Sequence, residues 1–217
     1  GQTCTAPERV YLHESIHDEF LQIFVEISRS LKLGDPENPA TEMGPVASPR
    51  AIANIKAQLE DAVARGARII LGGKIEGNLV YPTVVVGSTH DMLGMKDETF
   101  GPVSFVQSFS TTEEALQLAR DNRYGLRAAI YGDAEEALKV GEKLVGEPYC
   151  HLVEKIKFGV FGTIAVNQPR SESWQGAFVG KPVGGYGNSG WIWETIKGEF
   201  ILKQGAKLLS IETLVEN

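Results

Sequence analysis

The chain has 217 residues, of which 42% are hydrophobic and 23% charged, and its formal net charge is −7. This is the composition of a soluble globular protein. The acidic balance argues against a nucleic-acid or anionic-membrane partner, and no apolar run approaches the roughly 18–20 residues that span a bilayer. The two cysteines, Cys4 and Cys150, form neither a disulfide framework nor a metal-spaced pair. We therefore expect free thiols, a cytoplasmic location and no metal site.

The first third of the chain predicts a strand, two helices and another strand. Residues 9–13 alternate as a short strand, and the next segment is predicted as a helix that ends near Gly34. Its predicted inward side chains are Ile16, Phe20, Ile23, Phe24, Ile27 and Leu31. The second helix has Ser48 as its N-cap, Pro49 at its first position and Gly66 at its stop. Its predicted inward side chains are Ile52, Ile55, Leu59, Ala62 and Val63. Residues 67–73 indicate a buried strand.

The rest of the chain continues to alternate between strands and helices. Strands are predicted at 81–88, 102–109, 127–133 and 162–167, and helices at 111–122 and 134–146. Several of these strands are continuous apolar runs, which is expected when helices cover both faces of a parallel sheet. The predicted fold class is therefore α/β, with an open, mostly parallel, doubly wound sheet. A Gly-rich loop over 176–190 and a terminal strand over 207–215 complete the prediction.

One glycine pattern in the chain matches a familiar motif only as a string. GYGNSG at 185–190 fits G-x-G-x-x-G. The dinucleotide fingerprint must follow a strand and open a helix. Here the string follows the polar Lys181-Pro182 pair, so we interpret it as a structural turn or a pocket-shaping loop rather than a phosphate cradle.

Five side chains are candidates for a functional site, and each also has an ordinary structural interpretation. Cys4 is either an inert small residue or a nucleophile whose own backbone N–H helps to hold an oxyanion. Glu98 could accept hydrogen bonds from both hydroxyls of a ribose, and Phe100 could wall a flat ring, although a plain loop before a strand explains both equally well. Asn167 ends a strand, where open α/β sheets meet their ligands. Arg170 lines either a substrate mouth or a contact with another subunit.

Eight segments, in this order and at these separations, resemble the aldehyde dehydrogenase superfamily. They are GQTC (1–4), GPVAS (44–48), ARGARIILGG (64–73), YPTVVV (81–86), DETFGPV (97–103), NRYGLRAAIYGD (122–133), GTIAVN (162–167) and PVGGYGNSG (182–190). The resemblance covers nearly the whole chain and corresponds to the C-terminal, catalytic part of such an enzyme. It implies a catalytic domain over 1–195, followed by a hinge and an oligomerisation-type strand over 196–217.

The resemblance also implies roles for individual residues. Cys4 matches the nucleophile that attacks the aldehyde carbon, and the Cys4 N–H and an Asn side chain would hold the oxyanion. A hydride then passes to NAD or NADP, and water activated by a Glu hydrolyses the Cys4 thioester. Glu98 matches the carboxylate that holds the nicotinamide ribose, and Phe100 the aromatic beside it. Asn167 and the following loop, which includes Arg170, match the substrate-entry region.

In this family the oxyanion Asn, the general-base Glu and the phosphate-binding βαβ unit all precede the nucleophile. We therefore interpret these residues as a fragment without its cofactor-binding domain, inactive in isolation. The implied parent enzyme oxidises an aldehyde to a carboxylate with NAD(P) and assembles as a homodimer or homotetramer. Three alternatives are left open. They are a CoA-acylating enzyme of the same superfamily, an incomplete domain that only assembles with partners, and a cysteine hydrolase that needs no nicotinamide.

Two departures from the family pattern leave the substrate class open. The run over 146–161 is longer than expected, and Val183 stands where many relatives carry an aromatic residue. Arg170 hints at a carboxylate-bearing substrate such as a semialdehyde.

Overall fold

The computed structural model describes residues 1–145, 161, 163–167 and 186–187. The chain divides into two compact units, Gly1–Ala115 and Leu116–Asn217. In the part of the chain that is described, no helix combines the length and the apolar character needed to cross a membrane. The predicted domain boundary at residue 195 and the predicted terminal strand over 207–215 lie outside the described residues.

The first unit is built around a four-stranded sheet. Its helices and strands are β1 (Arg9–His13), α1 (His17–Ser30), α2 (Pro49–Ala64), β2 (Arg68–Leu71), β3 (Ile75–Glu76), β4 (Leu79–Val80), β5 (Thr83–Val86), α3 (Leu93–Lys96) and β6 (Val103–Phe109). The strand order is β1-β6-β5-β2. β6 pairs in parallel with both β1 and β5, whereas β2 is antiparallel to β5. β3 and β4 form a separate two-stranded hairpin that the sequence pattern does not predict.

A helix covers each face of this sheet. Successive strand residues point to opposite sides, so each face has its own core. On one face Ile55 and Leu59 of α2 share a core with Val85 and Phe105 of the sheet. On the other face, three side chains of α1 pack against a second core. That core and its α1 partners are Leu12, Val84, Val86, Val106, Leu21, Phe24 and Val25. The predicted fold class, an open, mostly parallel α/β sheet, is confirmed for the described residues.

The start and stop residues predicted for α2 are confirmed. The Ser48 hydroxyl accepts a hydrogen bond from the Ala51 N–H at 3.2 Å, and Pro49 is the first helical residue. Gly66 stops the helix with a φ of 96°, a left-handed conformation that glycine adopts without steric cost. Val63, predicted to face inward, is 51% exposed. It lies on the flank of the buried face, which is formed by Ile55, Gln58, Leu59 and Ala62.

The inward face predicted for α1 is wrong for four of its six residues. Ile16, Phe20, Ile23 and Ile27 are 50%, 37%, 52% and 59% exposed in the first unit. The helix instead packs through Leu21, Phe24 and Val25, and it buries Ser28. Both faces of this helix carry apolar residues, and Phe24 belongs to both stripes. Helical periodicity therefore identified the helix without deciding which stripe faces the sheet.

The strand predicted as buried over 67–73 is an edge strand of the described sheet. β2 has alternating burial, with Arg68 and Ile70 exposed and Ile69 and Leu71 half-buried. A short apolar run does not distinguish a central strand from an edge strand, because that difference depends on the number of neighbours rather than on composition. β2 pairs only with β5 in the described sheet.

The second unit contains two short parallel strands with a helix between them in the chain. After α4 (Thr112–Arg120), which begins in the first unit, come β7 (Tyr124–Gly125), β8 (Arg127–Ile130), α5 (Ala134–Val145), β9 (Thr163–Val166) and β10 (Tyr186–Gly187). β8 and β9 are parallel, and α5 contacts β9. β10 lies within the GYGNSG string and pairs antiparallel with β7. This pairing agrees with the structural interpretation of that glycine pattern.

Candidate active site

Cys4 lies in a tight turn immediately before β1. The Ala6 N–H donates to the Thr3 carbonyl at 3.0 Å, so the backbone doubles back around the cysteine. Gln2 ties this turn to the loop before α2, because its side-chain oxygen accepts a hydrogen bond from the Ala47 N–H at 3.0 Å. The Cys4 thiol is free and exposed in the described structure. The turn therefore presents the predicted nucleophile at the surface of the first unit.

The segment that carries Cys4 packs directly on the loop of residues 97–102, which we call the Glu98 loop. A Cβ added at Gly1 would overlap the carbonyl oxygen of Gly101 and would lie 2.9 Å from the Cα of Pro102. The two backbones therefore approach closer than any side chain would allow. The structure brings together two segments that the sequence separates by almost a hundred residues, the one with Cys4 and the one with Glu98 and Phe100.

Glu8 connects the same two segments through its side chain. One carboxylate oxygen accepts a hydrogen bond from the Thr99 N–H at 3.0 Å, and the other accepts from the Phe100 N–H at 2.7 Å. The Glu8 backbone is itself fixed on the sheet, because its carbonyl accepts from the Phe105 N–H at 2.8 Å. Two charge-assisted hydrogen bonds thus hold the Glu98 loop from the side of β1.

Helix α2 holds the Glu98 loop from a different element. The backbone carbonyl of Glu98 accepts hydrogen bonds from Asn54 Nδ2 at 3.0 Å and from Gln58 Nε2 at 3.2 Å. Gln58 is only 1% exposed. Its amide oxygen has no hydrogen-bond partner among the described residues. The buried Gln58 amide therefore fixes the loop backbone at Glu98, the residue whose carboxyl is the candidate ribose ligand.

The Glu98 side chain is exposed to solvent, and the charge of Glu8 acts on its carboxyl. Glu98 as a whole is exposed, and no hydrogen bond or ion pair to its carboxyl occurs among the described residues. Partial burial of the carboxyl raises its pKa, the neighbouring charge of Glu8 raises it further, and Arg9 opposes both effects. Both carboxyl oxygens are therefore available to a ligand, and both act purely as acceptors once the group has lost its proton.

Phe100 has a left-handed backbone with a φ of 53°, which is rare for a bulky residue. Its side chain is 36% exposed. A left-handed backbone at such a residue lowers the stability of the fold, and it persists only where surrounding contacts hold it. The hydrogen bond from the Phe100 N–H to Glu8 is such a contact. The loop thus exposes an aromatic ring two residues from an uncommitted carboxyl, an arrangement that fits a ribose joined to a flat ring.

Asn167 belongs to the second unit and ends β9 with a φ of 50°. Its side-chain amide pairs with the Gly132 backbone. Oδ1 accepts from the Gly132 N–H at 3.0 Å, and Nδ2 donates to the Gly132 carbonyl at 3.0 Å. The pairing extends the β8–β9 ladder beyond Ile130, whose carbonyl accepts from the Asn167 N–H at 2.8 Å. The amide keeps one donor hydrogen and one lone pair beyond these two bonds. The other predicted substrate-site residues, Arg170 and Val183, lie outside the described residues.

Three residues of this site were missed by the sequence analysis. Glu8, Asn54 and Gln58 fix the Glu98 loop, yet their partners are backbone groups far away in the chain, and no local pattern marks them. Glu8 carries one usable signal, an acidic residue directly before a short strand. Within the described ranges, no group of three or more His, Cys, Asp or Glu side chains could hold a metal ion.

The chain belongs to the aldehyde dehydrogenase family, whose family model matches residues 1–201. It is 33% identical over 198 residues to the D-glyceraldehyde dehydrogenase (NADP(+)) of Picrophilus torridus, covering 88% of this chain and 37% of that protein. It is 38% identical over 135 residues to the succinate-semialdehyde dehydrogenase [NADP(+)] 2 of Schizosaccharomyces pombe, covering 60% and 27%. The chain thus spans well under half of the length of the relatives that it matches.

Solved structures of the family have the same fold. The betaine aldehyde dehydrogenase of Staphylococcus aureus in complex with NAD+ superposes with a TM-score of 0.73 at 33% identity, covering 87% of this chain and 35% of that one. The succinate-semialdehyde dehydrogenase of Burkholderia pseudomallei gives a TM-score of 0.73 at 29% identity, covering 88% and 36%. These similarities extend across nearly all of the present chain.

Proposed function

We propose that residues 1–195 form the catalytic domain of an NAD(P)-dependent aldehyde dehydrogenase, which oxidises an aldehyde to a carboxylate, and that residues 196–217 form a hinge and an oligomerisation-type strand. One observation carries the proposal: Gly1 packs on Gly101, which joins the candidate nucleophile segment to the candidate cofactor loop within one compact unit. Family membership over residues 1–201 supports the same conclusion. Two of the relatives named above have NADP(+) in their names, and the Staphylococcus aureus structure is a complex with NAD+.

In this proposal Cys4 performs the covalent chemistry. Its thiol loses a proton, and the sulfur adds to the aldehyde carbon to give a thiohemiacetal, whose oxygen accepts a hydrogen bond from the Cys4 N–H. When bound, the nicotinamide supplies a two-electron oxidant that accepts a hydride from that carbon. Water then cleaves the resulting Cys4 thioester, which releases the carboxylic acid and returns the thiol. The exposure of Cys4 on a closed turn supports this role because a substrate can reach the sulfur.

We assign Glu98 and Phe100 to the cofactor. Ionised Glu98 would accept hydrogen bonds from the two hydroxyls of the nicotinamide ribose, and the exposed Phe100 ring would contact the nucleoside. The absence of a hydrogen bond or ion pair to the Glu98 carboxyl among the described residues supports this assignment. A carboxylate committed to an internal ion pair would have to lose that partner before it could bind a ligand.

We assign Asn167, Arg170 and Val183 to the substrate entry. Asn167 is exposed and retains one amide hydrogen and one lone pair beyond its pairing with Gly132, which supports a position at the mouth. Arg170 suits a substrate that carries a second, anionic group, and several relatives are named succinate-semialdehyde dehydrogenases. We therefore propose a semialdehyde as the first substrate to test.

We further propose that the whole protein is a cytoplasmic homo-oligomer. The two widely spaced cysteines support a reducing compartment. Size-exclusion chromatography with light scattering measures the assembly directly, and a monomer at micromolar concentration would contradict the oligomer.

The test of the enzymatic function uses the protein as its gene encodes it. Turnover of succinate semialdehyde, glyceraldehyde and betaine aldehyde is followed as NAD(P)H formation, with NAD and NADP in separate reactions. We expect Cys4→Ala to lower kcat by at least about 10³-fold, as expected when a covalent nucleophile is removed. Cys150→Ala, which removes the only other thiol of these residues, is the matched control and should stay within about twofold.

Three outcomes of this assay would contradict the proposal. Turnover that survives Cys4→Ala would exclude the assigned nucleophile. Burst hydrolysis of an activated ester with no nicotinamide-dependent turnover of any aldehyde would favour a cysteine hydrolase. Nicotinamide-dependent turnover that requires added CoA and yields acyl-CoA instead of the free acid would assign the chain to the CoA-acylating enzymes.

A further inference from the structure

The Glu98 loop depends on a carboxylate that no step of the proposed chemistry uses. Glu8 follows Cys4 by four residues and precedes β1 directly. Its two oxygens each accept one backbone N–H of the loop, from Thr99 at 3.0 Å and from Phe100 at 2.7 Å. This two-point contact fixes the orientation of the loop as well as its position, because one hydrogen bond alone would leave a rotation free.

The loop needs such a contact because its backbone conformation is unfavourable. Phe100 has a φ of 53°, and an aromatic residue reaches that region only when other groups hold it. On the other side, Asn54 and Gln58 bind the carbonyl of Glu98. The Glu98 carbonyl and the Thr99 N–H belong to one peptide group, so Asn54 and Gln58 hold that group from one side and Glu8 holds it from the other. The bond from the Phe100 N–H to Glu8 fixes the next peptide group, so residues 98–100 are held at two consecutive peptide groups.

We propose that Glu8 is a positioning residue for the cofactor. It holds the Thr99 and Phe100 peptide groups so that the Glu98 carboxyl and the Phe100 ring keep the orientation needed by the nicotinamide nucleoside. This inference rests on the proposed function. Because Glu8 belongs to the segment that carries Cys4, the same short stretch presents the nucleophile and sets the geometry of the cofactor contact.

Glu8→Gln tests this role at almost constant volume. The glutamine keeps one acceptor oxygen and turns an NH₂ donor toward the second N–H, so one hydrogen bond is lost and a repulsive contact replaces it. Glu8→Asp keeps both acceptor oxygens on a shorter side chain and serves as the conservative variant. Glu26→Gln is the matched control, since Glu26 is exposed on α1 and its side chain has no hydrogen bond or ion pair among the described residues.

Two measurements on the protein as its gene encodes it decide the proposal. In steady-state kinetics, Glu8→Gln should raise the KM for the cofactor about 10-fold, the effect of losing one charge-assisted hydrogen bond. The KM for the aldehyde and the rate of Cys4 alkylation by iodoacetamide should stay within about twofold, because Cys4 keeps its own turn. In hydrogen-exchange mass spectrometry, the peptide that covers 97–103 should exchange faster. Glu8→Asp should lie between the wild type and Glu8→Gln, and Glu26→Gln should match the wild type.

Each contrary result has a distinct meaning. Unchanged exchange over 97–103 in Glu8→Gln would overturn the proposal, because the carboxylate would then not hold the loop. Faster exchange with an unchanged cofactor KM would overturn it too, because the held geometry would not matter to the cofactor. Equal rises in both KM values would also overturn it, because the effect would then be a general loss of structure rather than a misplaced cofactor contact. If the wild type shows no nicotinamide-dependent turnover, the proposed function fails, and the exchange measurement still decides whether Glu8 holds the loop.

Discussion

Phe100 and Asn167 both adopt a left-handed backbone, with φ of 53° and 50°, but different groups stabilise them. At Phe100 the stabilising carboxylate comes from Glu8, 92 residues away. At Asn167 the residue stabilises itself, because its own amide binds both backbone groups of Gly132. Asparagine tolerates this conformation and phenylalanine does not. The Glu98 loop therefore depends on tertiary structure, whereas the turn at Asn167 depends mainly on its own residue type.

The largest effect is expected at Gly1, which packs on the Glu98 loop, and not at Gly132, which pairs with Asn167. Gly1→Ala places a methyl group on the backbone of Gly101, which cannot move aside without shifting the Glu98 loop. We expect a loss of about 1–3 kcal/mol in the free energy of unfolding, the usual cost of overpacking. Gly132→Ala is the matched control, since a Cβ there meets nothing within 4 Å. It should change the free energy by less than about 0.5 kcal/mol in urea unfolding. Equal losses in the two variants would show that the close approach at Gly1 carries no special constraint.

The second prediction concerns the turn at Asn167. Asn167→Ala removes both hydrogen bonds to Gly132 and leaves a Cβ-bearing residue at a φ of 50°. We expect a loss of about 2 kcal/mol in the free energy of unfolding, and about half of that for Asn167→Gly, which has no steric cost there.

Asn78→Ala is the control for that pair, because Asn78 is exposed and its side chain makes no hydrogen bond among the described residues. A loss as large in Asn167→Gly as in Asn167→Ala would mean that the hydrogen bonds matter and the backbone conformation does not.

The third prediction applies the same pair of substitutions to Phe100. Phe100→Gly and Phe100→Ala both remove the ring, so both should raise the KM for the cofactor. Phe100→Gly should nevertheless be more stable than Phe100→Ala by about 1 kcal/mol, because only the glycine accepts the left-handed backbone freely. Thermal unfolding of the two variants measures the difference. An alanine variant as stable as the glycine variant would imply that Glu8 holds the loop at no conformational cost.

The smallest expected effect is a pH dependence at Glu98. The pKa of Glu98 is raised above its ordinary value of 4.5, chiefly by burial and then by Glu8. A raised carboxyl pKa means that folding favours the protonated form, so its contribution to stability is present below pH 4.5 and is lost as the pH rises through the raised pKa. Glu98→Gln should therefore raise Tm by about 1 °C at pH 7, a small effect because water screens the exposed carboxyl.

This Tm difference should disappear below about pH 4, where the carboxyl is protonated in both states. The cofactor KM should respond in the opposite sense, because ribose binding needs the ionised carboxylate and weakens as the pH falls. Glu26→Gln provides the control at each pH. A Tm difference that is constant with pH would contradict the assigned cause.

The sequence predicted which helices and strands the first unit contains better than it predicted what packs against them. Ser48, Pro49 and Gly66 mark α2 correctly because capping is a local interaction between neighbouring residues. The orientation of α1 was mispredicted because its two apolar stripes satisfy the same helical period, and only the sheet decides between them. β2 was predicted as buried because an apolar run does not report how many strands flank it.

The candidate site divides in the same way. The roles of Cys4, Glu98 and Phe100 are predicted through short motifs that resemble the family, and they stay predictions. The groups that hold them were not predicted, because Gly1 meets Gly101, and Glu8 meets Thr99, only after the chain has folded. A motif can identify the reacting groups, whereas their supports are backbone contacts between distant segments.

The contact between Glu8 and the Glu98 loop has a consequence for the order of folding. It joins residues 91 and 92 positions apart, and Arg9 of β1 pairs with Phe105 of β6 across a comparable interval. Closing so long a loop costs chain entropy before any contact is gained, whereas β5 and β6 are near neighbours in the chain. We expect β5 and β6 to pair first and β1 to join afterwards, at the edge of the described sheet. A newly synthesised chain would then bury its core before its candidate nucleophile and cofactor loop first meet.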